Sequence, residues 1–263
     1  MTLNEYKKIA NDARKTVLRM IYKAQSSHIG SNFSCIDILS VLFEKMDLQK
    51  DTFIASKGWV AASVYYFLGQ KGVIPEKDLE RYCQPNETEY IGLIEPQGKF
   101  GLEFAGGSMG FGLPAGVGFA LAKKLNADNG TVHILMSDGE MQIGTTWESI
   151  LIAKQHGLSN LVVWVDNNRF QAMGKTEEIL NIEPLDERVR AFGWAVERID
   201  GHNFEQIEAA FAGSRVQSPR MIVCDTTKGK GWKRAENNNV YHYKNLSEEE
   251  YTEAMQELSI SHG

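Results

Sequence analysis

Two short segments carry the residue types from which a metal-assisted anion site could be built. After the apolar run 132–136 the chain reads Ser137-Asp138-Gly139-Glu140, and after the apolar run 161–165 it reads Asp166-Asn167-Asn168. A carboxylate leaving one strand and a side-chain amide leaving the next can meet at the edge of a sheet. Together they offer hard oxygen ligands, the kind Mg²⁺ or Ca²⁺ takes when waters and a diphosphate complete its shell. Gly139 lets the backbone come close to such a diphosphate, and the free N–H groups at the start of the following helix would face the anion. Taken singly, Asp138-Gly139 is also what an ordinary turn contains, and Asp166-Asn167-Asn168 what an ordinary strand exit contains.

Five of the six histidines divide by context. His28, in Ser27-His28-Ile29-Gly30, carries an imidazole whose usual pKa suits proton transfer near neutral pH, although a histidine in a serine-rich turn is also a plain surface residue. His242 lies in the polar stretch 237–244 and reads either as a site residue or as a solvated one. His202, in Asp200-Gly201-His202-Asn203, reads as structural, opening a helix capped by Asn203. His133 inside a strand and His156 at a helix end carry no chemistry. Lys228 and Lys230 stand between glycines and could reach a phosphate, but a basic loop after a strand is more commonly only solvated.

The elements that must position these residues follow from hydrophobic patterning. Short apolar runs at 53–55, 132–136, 161–165 and 221–224, bounded by polar residues or glycine, predict strands buried on both faces of a parallel sheet. Helix-like stretches at 36–45, 61–70, 113–125, 146–156 and 204–211 alternate with them. Before all of these, Ile9, Ala13, Val17, Met20, Ile21 and Ala24 recur at helical spacing and predict an amphipathic first helix over 4–24. Such alternation predicts an α/β fold, a doubly wound parallel sheet with helices on both faces. Sheets of this kind bind ligands at the carboxyl ends of their strands, where Asp138 and Asn168 fall. With no repeat and no low-complexity linker, residues 1–263 read as one domain with a less regular C-terminal arm from about 228.

Composition narrows the function classes. A chain of 263 residues that is 43% hydrophobic and 24% charged can bury a full core. A formal charge of −6 argues against a general nucleic-acid or anionic-membrane surface. Small molecules or other proteins are the expected partners. The three cysteines are scattered without CxxC spacing, so a reducing, cytoplasmic setting is favoured over a disulfide framework. Neither a signal peptide nor an apolar run approaching the roughly 20 residues of a membrane span is visible.

Side by side, Asp138-Gly139 and Asn167-Asn168, roughly 30 residues apart, resemble the thiamine diphosphate signature, with Ser137 in place of its first glycine. The rest of the chain resembles one branch of that group, the transketolases. Ser27-His28-Ile29-Gly30 is similar to the family's Ser-Gly-His-Pro-Gly, and Ser56-Lys57-Gly58 to its Ser-Lys-Gly-His. The segment 106–110 (Gly-Gly-Ser-Met-Gly) is similar to Thr-Gly-Pro-Leu-Gly, and the segments at 200–202, 228–231 and 237–244 continue the likeness in the family's order. The resemblance implies thiamine diphosphate as cofactor. Mg²⁺ (or Ca²⁺) would be held by Asp138, the Asn168 amide and the main-chain carbonyl of Phe170. Gly139 would meet the diphosphate, Gly107 and Met109 the aminopyrimidine side. His28, Glu148 and His242 would be the catalytic set, with Glu148 one carboxylate of a relay between two cofactors. The implied activity is a transketolase-like transfer of a two-carbon or other acyl unit between sugars.

The family's activating Glu belongs to a pyrimidine-binding domain, and the chain ends soon after His242. A second, C-terminal subunit carrying that domain is therefore expected, in a heterotetramer of two plus two chains. The small, apolar stretch 110–120 is the expected contact between copies of this chain. Three family histidines are replaced, by Trp59, Leu93 and Asn239, and a second relay carboxylate by Ile143. These changes point away from simple ketose phosphates and toward an unusual sugar. Two competing readings remain: the alpha subunit of a 2-oxo acid dehydrogenase, and a non-catalytic paralogue acting as a scaffold for its partner.

Overall fold

A computed structural model describes residues 1–84, 88–213 and 217–260. Five strands, β1 (Thr52–Ala55), β2 (Val132–Ser137), β3 (Leu161–Asn167), β4 (Ala195–Asp200) and β5 (Arg220–Asp225), form one sheet in the order β1-β2-β3-β5-β4. Every pairing is parallel. Side chains alternate along each strand, so each central strand feeds two cores. On one face Leu135, Val162, Trp164, Ile222 and Cys224 join the helices α1 (Leu3–Ala24), α2 (Ile29–Ser34), α3 (Ile36–Lys45) and α4 (Ala61–Gln70). On the other, Ile134, Met136, Val163, Val165 and Val223 meet residues of later helices, α6 (Gly112–Leu125), α7 (Gly144–Gln155) and α9 (Leu185–Ala191). Between these lie the short helices α5 (Glu76–Leu79) and α8 (Thr176–Leu180), and α10 (Phe204–Ala212) packs on the first face. The doubly wound parallel architecture expected from the alternation is the one observed.

Helix ends follow local chemistry. Thr2 and Glu5 close a capping box at the start of α1, and the Asn203 side chain accepts from the Gln206 amide at the start of α10, the cap expected there. One strand lies outside the expected set. β4 is only half-buried and includes Glu197 and Arg198, so no apolar run announces it. As an edge strand it needs only one buried face, and Arg198 instead donates to Glu183 and Asp225. The segment from 228 onward makes a 3₁₀ turn at Asn239–His242 and ends in α11 (Glu248–Ile260). α11 lies along α1, with the Tyr22 and Tyr251 rings stacked 4.2 Å apart. Among the described residues no helix is long and apolar enough to cross a membrane.

Candidate cofactor and active site

The register of β2 and β3 brings the two chemical segments together. Ser137 pairs with Asp166, so Asp138 leaves the sheet beside Asn167 and Asn168. Asp138 is 1% exposed, and its oxygens accept from the Gly139 amide (2.9 Å) and the Thr176 hydroxyl (2.7 Å). Burial pushes its carboxyl up to about 6, against the pull of Thr176. Asn168 is buried as well, donating to the Ser34 hydroxyl (3.3 Å) and accepting from the Phe170 amide (3.0 Å). Arg169 takes a left-handed φ of 63° and Phe170 bridges to Lys175, which folds the loop back over Asp138.

These residues fit a hard cation with an anionic ligand. Among the described residues the buried carboxylate has only an N–H and a hydroxyl as hydrogen-bond partners. Gly139 leaves a cradle: a Cβ there would come within 3.1 Å of Met109 Cε and 3.4 Å of the Gln171 side chain. The Gln171 side-chain nitrogen is buried beside it with no hydrogen-bond partner among the described residues, a donor available to an anion.

A second group, not singled out from the sequence, fixes the walls. Glu140 is fully buried and accepts from Ser56 Oγ, the Gly110 amide (3.3 Å) and the Ser137 amide (2.8 Å), tying the exit of β1 and the 106–110 segment to the Asp138 turn. The signal was present: Ser137 and Glu140 have capping-box spacing. Gly107, at φ 102°, packs so closely on Leu93 that a Cβ would overlap it. Below Asn168, Asp166 accepts from Lys57, Ser34 and Thr226 and is not free to ligate. Burial opposes the charge on Lys57, but its acidic neighbours together, Asp166 foremost, outweigh burial and hold the ammonium above its ordinary value.

The histidines form the third wall; two open alternatives are decided here, for His28 and His242, and two expectations are corrected, the near-neutral pKa of His28 and the solvated Lys228. His28 is not a surface residue: it is 5% exposed, stacks on the Trp59 indole (4.5 Å, 12°) and meets the His242 ring edge-on at 4.8 Å. Nor does its pKa sit near neutrality. Burial, then the charges of Lys228 and Lys57, push it down to about 4, so the ring is neutral at pH 7. His242 is not loose in a solvated arm, because its Nδ1 lies 2.8 Å from Lys228 Nζ. Lys228 in turn is fully buried, contrary to the solvated loop expected. Tyr243 adds an edge contact to His28 at 5.5 Å. Met109 remains 44% exposed at the rim. Glu148 is not part of this cluster: it is exposed on α7, and among the described residues no hydrogen bond or ion pair joins it to the others of the site.

A parallel sheet whose neighbouring strands deliver a buried carboxylate, a buried amide and a glycine cradle to one edge defines a diphosphate-binding α/β domain. Residues 5–262 match the family described as transketolase, thiamine diphosphate binding domain. The chain is 32% identical to one subunit of an apulose-4-phosphate transketolase from Phocaeicola vulgatus, covering 94% of this chain and 91% of that one. It is 34% identical to a 6-deoxy-6-sulfo-D-fructose transketolase subunit, SqwG, from Clostridium sp., covering 95% and 94%. The crystal structure of transketolase from Campylobacter jejuni superposes with a TM-score of 0.92 at 28% identity, over 98% of this chain and 43% of that one. The chain belongs to the transketolase family and corresponds to its thiamine diphosphate-binding domain.

Proposed function

We propose that this chain is the diphosphate-binding subunit of a two-chain transketolase-like transferase that acts on an unusual sugar phosphate. The observation that carries the reading is the end-to-end match to subunits of split transketolases, combined with the β2–β3 register that sets Asp138 beside Asn168. Asp138, Asn168 and the Phe170 carbonyl would hold a divalent ion, Mg²⁺ or Ca²⁺, and with it the diphosphate. Gly139 and Gln171 would line the diphosphate, Gly107 and Met109 the aminopyrimidine. Bound there, thiamine diphosphate supplies the carbanion-stabilising ring that transketolase chemistry needs. The chain's own contribution is placement. Lys57 and Lys228 put buried positive charge near the carboxylates, and His28 and His242 offer neutral imidazoles to substrate oxygens.

The substrate class follows from the same wall. Two relatives carry names of sugars altered from the common ketose phosphates. Here Trp59 covers one face of His28, Leu93 presses on Gly107, and Asn239 is engaged with Lys228 and with the carbonyl of Ala172. A pocket with an indole and an isobutyl group in place of imidazoles favours a ketose with fewer hydroxyls. The partner, carrying the pyrimidine-binding domain and the activating Glu, would complete a heterotetramer of two chains of each kind, in a cytoplasmic setting. Glu148 would act in the relay only across an interface, since within one chain it stands apart.

The test is to purify this chain with a candidate partner, add thiamine diphosphate and Mg²⁺, and screen ketose donors. Cofactor-dependent transfer by the pair supports the reading. Tight cofactor binding without turnover of any donor would instead favour a scaffold.

A further inference from the structure

Lys228 lies on the loop after β5 and is completely enclosed. The loop is clamped on both sides: the Thr227 amide donates to His202 Nε2 (2.8 Å), and Arg14 Nε donates to the Lys230 carbonyl (2.9 Å). An ammonium has donors only. One goes to Asn239 Oδ1 at 3.0 Å and another meets His242 Nδ1 at 2.8 Å. The orientation of the Asn239 amide is set independently. Its Nδ2 donates to the Ala172 carbonyl (3.0 Å), which can only accept, so its oxygen must face Lys228. Burial pulls the ammonium down to about 8, and the Phe170 ring, its centroid 5.8 Å away, favours the charge that the group keeps near neutral pH.

His242 Nδ1 therefore faces a donor and must itself accept. Burial, then the charge of Lys228, pushes this imidazole down to about 3, so near neutral pH it carries a single proton. We propose that Lys228 is a positioning residue that locks His242 in the Nε2–H tautomer and so presents it to the substrate as a hydrogen-bond donor. The donor role toward substrate rests on the function proposed above; the tautomer does not. With the proton on Nδ1 instead, two donors would oppose each other in a buried site, which disfavours that form about tenfold or more. Asn239, expected only as a lost imidazole, becomes the second anchor that aims Lys228.

The full chain labelled with ¹⁵N-histidine gives the tautomer directly from two-bond nitrogen–proton correlations, with His242→Gln assigning the signal. Nε2–H in about tenfold or greater excess is expected. A Nδ1–H ring or a near-equal mixture would overturn the proposal, whatever the enzyme does. Lys228→Met should shrink the excess to the modest Nε2–H preference of a free imidazole, and Lys228→Gln, which keeps an N–H donor, should restore part of it. An undiminished excess in Lys228→Met would also overturn it, and if that variant does not fold the wild-type spectrum still decides. In an active two-chain complex, Lys228→Met should lower kcat/KM about tenfold or more, and an unchanged kcat/KM would remove the substrate-facing role. A wild-type complex that turns over no ketose would count against the function while leaving the measured tautomer standing.

Discussion

Asp138 is the side chain on which cofactor binding is expected to turn. A diphosphate carries several negative charges, and burying it next to this carboxylate without a cation is strongly unfavourable. Asp138→Ala and Asn168→Ala should each abolish Mg²⁺-dependent binding of thiamine diphosphate by calorimetry while circular dichroism shows the fold retained. Wild-type binding by both variants would mean the metal site is elsewhere. Asp37 serves stability instead. Arg14 binds it with both terminal nitrogens (2.9 and 2.8 Å) and His202 Nδ1 lies 2.7 Å away. Burial opposes its charge, but Arg14 and His202 outweigh burial and hold the carboxyl at about 2, below its ordinary 3.8. Because the folded value is the lower one, this stabilisation is complete above the ordinary value and drains away as pH falls toward about 2. Asp37→Asn leaves Arg14 buried and unpaired, so urea unfolding near pH 7 should show a loss of roughly 3–5 kcal/mol. The variant should also lose that part of the acid dependence of stability.

Among the elements, the turn after β1 and the segment before α6 act as one unit. Gly58 and Gly107 approach so closely that a Cβ on Gly58 would overlap the Gly107 amide nitrogen. Glu140 pins the same pair of segments through Ser56 and Gly110. Gly58→Ala is expected to cost about 1–3 kcal/mol in thermal or urea unfolding and to weaken cofactor binding, because the backbone that must yield carries Gly107 and Met109. Full stability with wild-type binding would show that the two segments are not coupled.

Across the whole molecule, α6 and α7 present an outward apolar face. Phe111, Leu151 and Ile152 are about half exposed, at 53%, 55% and 48%, and Gly118 and Ala122 leave the backbone of α6 open to close approach. Glu148 lies on α7 in the same exposed set. This face is expected to join two copies of the chain, and sedimentation at micromolar concentration should find a dimer or larger species; a monomer both alone and with the partner would exclude it. The chain alone should be catalytically silent, and the two-chain complex should transfer poorly from xylulose and fructose phosphates. Each substrate hydroxyl left without its hydrogen bond costs roughly 1–3 kcal/mol, so the losses at Trp59, Leu93 and Asn239 together would lower turnover by orders of magnitude. Efficient transfer from those simple ketoses would overturn the specificity reading and leave the cofactor site untouched.

What was legible in the residues is what depends on near neighbours in the chain. The apolar runs that become β2, β3 and β5, the helical spacing of α1, and the carboxylate, glycine and amide at the exits of two strands are local patterns. Parallel pairing of buried strands is enough to bring Asp138 to Asn168. β4 escaped because an edge strand with polar residues has no such pattern. The character of the histidine wall escaped for another reason. Whether a Lys or a His is charged depends on what encloses it: Lys228 and Asn239 meet α2 and the 169–175 loop, and His28 lies between Trp59 and His242, segments far apart in the chain. Residue type names the groups that can bind or transfer protons. Only packing from distant segments removes the water, which makes His28 neutral, and brings up the Asn239 and His242 acceptors that fix Lys228 as a donor although burial lowers its pKa to about 8.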